Sequence, residues 1–208
     1  MTNGFIIKCI DGVVKTILDS EEEIESLDRA IGDGDHYINI KRGSIAVQST
    51  ESELATLTPD QAFKKIGMTI MTSVGGASGP LFASFFLALA KEVSGESNLQ
   101  QFSKGFTSGV ESIMNRGKSK LGDKTMLDVL IPVSEKLESL ANEGCEIQKL
   151  IKEIDLVAMA GVMATKDMMP SKGRSAGLAE RAIGHIDPGA KTCQIIISTV
   201  CKELEKIK

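Results

Sequence analysis

Apolar residues return every three or four positions through almost the whole chain, and this period restricts it to helices that must share one interior. Ile6, Ile10, Val13 and Ile17 step in this way near the start, Phe102, Phe106, Val110 and Ile113 in the middle, and Cys193, Ile196, Ile197, Val200 and Leu204 near the end. Comparable stripes cover roughly 21–30, 37–49, 59–74, 80–94, 124–142 and 146–168, separated by Gly, Pro and Ser/Asn clusters. This predicts about eight or nine helices and no strand. Ile195-Ile196-Ile197 has strand propensity, but its flanks keep the helical period. Pro132 inside its stripe predicts a kink or a late helix start. With 208 residues the chain can fill one good-sized core, so a single domain over 1–208 is expected.

Charge and composition narrow the function. A net charge of −4 and a pI near 5.4 argue against nucleic acid or anionic lipid as partners, and no Lys/Arg run or aromatic ladder appears. The most apolar stretch, Leu81 to Ala90, is far short of the roughly 20 residues that span a bilayer. Met-Thr-Asn-Gly-Phe at the start lacks the features of a signal peptide. Cys9, Cys145, Cys193 and Cys201 form no C-x-x-C pair, so reduced thiols in a cytoplasmic protein are expected.

Asp28, Asp33 and Asp35 crowd together, the last two alternating with glycine in Ile31-Gly32-Asp33-Gly34-Asp35-His36. Carboxylates this close repel unless a positive charge is shared, and glycines let the backbone turn sharply enough to converge the oxygens. Mg²⁺ suits such a set, because it takes oxygen ligands and is commonly held by a few carboxylates together with substrate phosphates. An acidic turn in water fits the segment equally well. Gly75-Gly76-Ala77-Ser78-Gly79-Pro80 and Gly184-His185-Ile186-Asp187-Pro188-Gly189-Ala190 each precede an apolar helical stripe, with Pro80 and Pro188 placed for a first helical turn. Such starts offer free backbone N–H groups to an anion; singly, each is also an ordinary loop and cap. Ser112 to Ser119 ends like a P-loop but lacks its first glycine and continues a helix, and Gly32-x-Gly34 lacks the third glycine of the dinucleotide fingerprint. A nucleotide, if bound, sits on an all-helical scaffold.

Five segments in order, Leu27 to His36, Ser73 to Leu81, Gly122-Asp123-Lys124-Thr125-Met126-Leu127-Asp128, Gly173-Arg174-Ser175 and His185 to Ala190, resemble the nucleotide-binding L subunit of bacterial dihydroxyacetone kinase. The resemblance spans nearly the whole chain. It implies an all-α fold, an antiparallel barrel of eight amphipathic helices with the nucleotide site at one end. It also implies that Asp28, Asp33 and Asp35 hold two Mg²⁺ ions bridging the phosphates of ADP or ATP, next to a nucleotide-binding run of His36, Tyr37, Ile38 and Asn39. In this reading His36 and Asn39 donate to phosphate, as do the positions of Ala77 and Ser78 at a helix start. Gly117 and Met126 match positions lining the base and ribose, Arg174 a phosphate-side contact, and Asp187, Pro188 and Gly189 a loop against the nucleotide. From the residues alone His36 is also a turn cap, Met126 a core methionine and Gly117 a helix C-cap. No side-chain nucleophile is implied.

The family has glycine after the histidine where this chain has Tyr37, so a phenol is expected beside the phosphates, as a lid that slows nucleotide exchange. The activity implied is phosphoryl transfer to dihydroxyacetone, or a similar short ketose, held by a partner K subunit. In the phosphotransferase-system branch an M subunit recharges the bound ADP. A transcriptional regulator and a second copy of the chain stand as further candidate partners. The alternative is a non-catalytic regulatory or lipid-binding module, since a helical barrel also encloses apolar ligands.

Overall fold

The computed structural model describes residues 2–94 and 98–207, and every regular element among them is helical. The α-helices are α1 (Asn3–Asp19), α2 (Glu21–Ile31), α3 (His36–Gln48), α4 (Glu51–Leu54), α5 (Pro59–Ser73), α6 (Ser78–Glu92), α7 (Leu99–Gly117), α8 (Leu127–Glu143), α9 (Ile147–Ala164) and α10 (Pro188–Glu205). Two 3-10 segments, Thr165–Asp167 and Arg174–Ala182, lie between α9 and α10. Since α4 is a single turn, the longer helices match the count that the apolar period predicts. Ile195-Ile196-Ile197 lies inside α10, so the helical flanks prevail over strand propensity.

An amphipathic helix buries only one stripe, and a closed ring gives every stripe a common interior. Around that ring α1 packs on α3, α3 on α5, α5 on α6, α6 on α7, α7 on α8, α8 on α9, α9 on α10, and α10 back on α1. Eight helices thus close the barrel. The remaining long helix, α2, lies against α3, α10 and the Arg174–Ala182 segment. Successive ring helices run antiparallel, so α3, α6, α8 and α10 all start at the same end. At the opposite end Asn3, opening α1, donates from Nδ2 to Leu54 O at 3.1 Å.

Phe85 meets Phe86 and Phe106 edge-on inside the ring, with centroids 5.4 and 5.1 Å apart. An apolar cavity of about 290 Å³ remains along the interior, walled by side chains such as Ile40, Phe82, Phe102, Ile197 and Val200. The cysteines are free, and burial above all pushes the thiols of Cys9 and Cys201 up to about 12, so both are protonated. No helix among the described residues is long and apolar enough to cross a membrane.

The crossing of α8 and α9 reaches the functional end. Pro132 lies inside α8, which starts at Leu127 instead of residue 124, and proline at that place leaves the Asp128 carbonyl without its intrahelical partner. Gly161 of α9 lies against that carbonyl: a Cβ would sit 2.6 Å from Asp128 O and 3.0 Å from Val129 Cα. Backbone atoms cannot move aside as a flexible side chain does. Gly161→Ala should therefore lower stability by about 1–3 kcal/mol through overpacking, read as a lower urea midpoint at unchanged m value.

Candidate functional site

The loops that precede α3, α6, α8 and α10 converge on one cleft of about 440 Å³, a size suited to a small organic ligand. Asp28 comes from the last turn of α2, and Asp33 and Asp35 from the loop to α3. Oxygens of the three carboxylates lie within 4.8 Å of one another. Glycine is required at the turn: a Cβ on Gly32 would stand 1.8 Å from Asp28 Oδ1, and Gly34 takes φ +79°. Asp28 is 4% exposed, and its Oδ2 accepts from His36 N at 3.0 Å. Arg174 Nε meets Asp33 Oδ2 at 2.9 Å. One arginine against three carboxylates leaves negative charge in excess, and the all-oxygen donor set fits a hard divalent cation such as Mg²⁺.

Beside the carboxylates runs the loop from α5 to α6. Arg42 of α3 holds it, donating from Nε to Ser73 O at 2.6 Å and from Nη2 to Asn39 Oδ1 at 2.7 Å. A side chain at Gly75 would collide with this pair, its Cβ being 2.5 Å from Asn39 Oδ1 and 2.7 Å from Arg42 Nη2. The Asn39 carbonyl is thereby occupied and its amide N–H groups remain as donors toward the loop. Ala77 and Ser78 then open α6 with free backbone N–H groups at the positive end of the helix dipole.

His36 opens α3, and its Nε2 lies 2.8 Å from Thr192 Oγ1, whose hydroxyl donates to Pro188 O at 3.0 Å. With the Thr192 proton committed, the network assigns the imidazole proton to Nε2. Burial, the dominant effect, lowers the pKa of His36 against the pull of Asp28 and Asp35. The neutral ring offers Nδ1 as an acceptor, so it donates to an anion from Nδ1 only after gaining a second proton.

Leu81, Ile113, Gly117 and Met126 form the apolar wall. Behind it Lys124 is fully buried, with Nζ donating to Thr165 O at 2.7 Å and His185 O at 2.6 Å. Asp128 shapes the turn that carries Lys124, accepting from Gly122 N at 2.6 Å and Thr125 N at 2.7 Å. Asp187 caps α10, accepting from Ala190 N at 2.7 Å.

Residues 30–202 match the DAK2 domain. This chain belongs to the DAK2-domain family. It is 35% identical to the ADP-binding subunit DhaL of PEP-dependent dihydroxyacetone kinase 2 from Listeria innocua, over 99% of this chain and 97% of that one. The ADP-binding subunit of the PTS-dependent dihydroxyacetone kinase of Lactococcus lactis is also 35% identical, over 88% of each chain. The dihydroxyacetone kinase of C. freundii, solved with AMP-PNP and Mg²⁺, superposes with a TM-score of 0.73 at 24% identity, over 97% of this chain and 34% of that one. The helical fold is therefore shared with one part of that longer chain.

In this DAK2 domain Asp28, Asp33, Asp35, His36, Asn39, Ala77, Ser78, Gly117, Met126, Arg174, Asp187, Pro188 and Gly189 all line the one cleft. Tyr37 and Ile38 do not. Because α3 already begins at His36, each further residue turns about 100° around the helix. Tyr37 points inward with Ile40 and Val47, is 3% exposed, and donates from its hydroxyl to Glu21 Oε2 at 3.0 Å. Ile38 is 60% exposed on the outer face. The expected phenolic lid is thus a core side chain tying α3 to α2, and its helical backbone needs no positive φ. Lys124, Asp128, Arg42 and Thr192 are contributors that the sequence reading gave no role. Lys124 and Asp128 lie in the Gly122–Asp128 segment, but the burial of a lysine is not readable from spacing; Arg42 and Thr192 carry no local signal.

Replacing Tyr37 with Gly should accordingly cost about 3 kcal/mol or more of stability, the range for emptying a buried aromatic site, read as a lower urea midpoint. Asp187 supplies a pH test. Burial foremost, with Asp128 adding and Lys124 opposing, pushes its carboxyl up to about 7. A raised carboxyl pKa stabilises the fold below the unfolded value of about 4, and that contribution is lost as pH rises through about 7. Wild type should therefore lose stability relative to Asp187→Asn across this window, measured by urea unfolding at its two ends.

Proposed function

We propose that this chain is the nucleotide-carrying subunit of a cytoplasmic dihydroxyacetone kinase, a single domain that holds ADP or ATP with two Mg²⁺ and presents a phosphoryl group to a ketose bound on a K subunit. The observation that carries the reading is the meeting of three carboxylates, a glycine-rich helix start and an apolar wall in one cleft, in a chain collinear with an ADP-binding subunit. Asp28, Asp33 and Asp35 would hold the metal, which when bound neutralises phosphate charge as the phosphoryl group transfers. Ala77, Ser78, Asn39 and Arg174 are placed for the phosphates, Gly117 and Met126 for base and ribose, and the Asp187–Gly189 turn for the remaining side. The names of the relatives, one PEP-dependent and one PTS-dependent, favour recharging of bound ADP by an M-type phosphocarrier over exchange with free ATP.

The apolar cavity inside the ring favours a second, compatible reading, in which the barrel also takes up an acyl chain. Extraction of the purified protein distinguishes nucleotide from lipid. The kinase reading predicts bound ADP with about two Mg²⁺ per chain, both released by chelator, because each ligand depends on the other. Asp33→Ala and Asp35→Ala should abolish phosphoryl transfer with the partner subunits and weaken Mg-ADP binding while circular dichroism stays helical. Activity retained within about tenfold, or about 1.4 kcal/mol of barrier, would remove these carboxylates from the metal.

A further inference from the structure

Arg174 has a task that its own contacts do not explain. Its pair with Asp33 joins two exposed side chains, 71% and 40% accessible, and such pairs orient little by themselves. Residues Ser171 through Arg174 are exposed, with Gly173 at φ +71°. Pro170 and Ser175, on either side, are buried. Between them the described hydrogen bonds to the rest of the protein come from Ser171, and both go to Asp123: Ser171 N donates to Asp123 O at 3.2 Å, and Ser171 Oγ to Asp123 Oδ1.

Asp123 is itself fixed. It is 7% exposed, and its Oδ2 accepts from Lys120 N at 2.8 Å and Ser119 Oγ at 3.0 Å. Burial, the largest influence, pushes its carboxyl up, but the hydrogen bonds from Ser171, Lys120 and Ser119 prevail and hold it below the usual range, so it remains an ionised acceptor. The turn that carries it is held in turn by Asp128 at the start of α8. Support therefore runs from Asp128 at the start of α8, through the backbone turn it holds, to Asp123 and on to Ser171, three residues before Arg174.

We propose that Asp123 is a positioning residue for Arg174: by pinning the exposed segment at Ser171 it keeps the guanidinium over the phosphate end of the cleft and slows release of a nucleoside diphosphate. This rests on the nucleotide reading above. Asp123 touches no ligand itself. Its effect is transmitted through one side chain, which separates it from a general contribution to stability.

The test is stopped-flow release of a fluorescent ADP analogue, with Mg²⁺, from wild type, Asp123→Ala, Arg174→Ala and the double variant, together with hydrogen exchange of the nucleotide-free proteins. Each single change should speed release by about tenfold, and the double variant should exceed the faster single by no more than about twofold, because both remove the same contact. Exchange should rise across 169–175 and stay unchanged in α5 and α9. Ser171→Ala, at an exposed position, should shift both readouts in the same direction and decides the matter if Asp123→Ala fails to fold. Multiplicative effects in the double variant, or release from the single variants within about twofold of wild type, overturn the positioning role. Wild type that retains no Mg-ADP overturns the nucleotide reading and the retention role with it, whereas unchanged exchange at 169–175 overturns the pin itself.

Discussion

Closure of the helical ring governs everything else in this molecule. None of the ring helices can bury its apolar stripe alone, and in a ring of antiparallel neighbours the stripes of α1, α3 and α5 through α10 complete one another. An even number of alternating helices sends every second N-terminus to the same end. The free N–H groups and positive dipole ends of α3, α6, α8 and α10 therefore collect where α2 delivers Asp28. Topology thus gathers anion-attracting helix starts at one end before any side chain is chosen. The side chains then add three clustered carboxylates, a donor set that fits a hard cation, and an apolar wall of Leu81, Ile113 and Met126.

Much of this was legible in the sequence because it depends on local periodicity and local turn chemistry. The three-to-four step of apolar residues foretold helices and where they break, and glycine spacing marked turns at which a Cβ has no room, as at Gly32 and Gly75. The carboxylate cluster was readable because its members are close in the chain as well as in space. Tyr37 departs from its expected place for a related reason. Its neighbour His36 in sequence does not set its direction, because a residue that is already helical is placed by rotation, and one step turns its ring from the cleft to the core. Lys124 escaped from the other direction: its two acceptors lie far along the chain, at Thr165 and His185, and no local pattern announces a lysine that bridges distant carbonyls.

The buried groups behind the cleft clarify why its far wall is built from charge. Lys124 is surrounded by Asp187, Asp128 and Asp167 as well as by its two carbonyl partners, and burial lowers its pKa while those carboxylates act to raise it. A buried ion cluster adds little net stability compared with an apolar core of the same volume, because desolvation offsets most of the attraction. Its merit is directional. Lys124 joins the end of α9 to the His185 loop, Thr165 Oγ1 accepts from Asp187 N at 3.1 Å, and Asp187 caps α10. Apolar side chains would fill the space without fixing those three backbones relative to one another.

Two parts of the cleft wall are thus held by different means, and the difference bears on which of them opens first. At α9 and α10 the cleft-facing turn Asp187–Gly189 is fixed by the buried Lys124, through Thr165 and His185, and by a helix cap. Arg174, by contrast, stands on an exposed segment pinned at Ser171 and meets Asp33, one of the three clustered carboxylates. Releasing Arg174 from Asp33 breaks a contact already open to water, while releasing the Asp187 turn requires exposing Lys124 and Asp187 together. Local opening follows the weaker set. Opening of the cleft is therefore expected first at the Arg174 segment, while the Asp187–Gly189 wall stays in place.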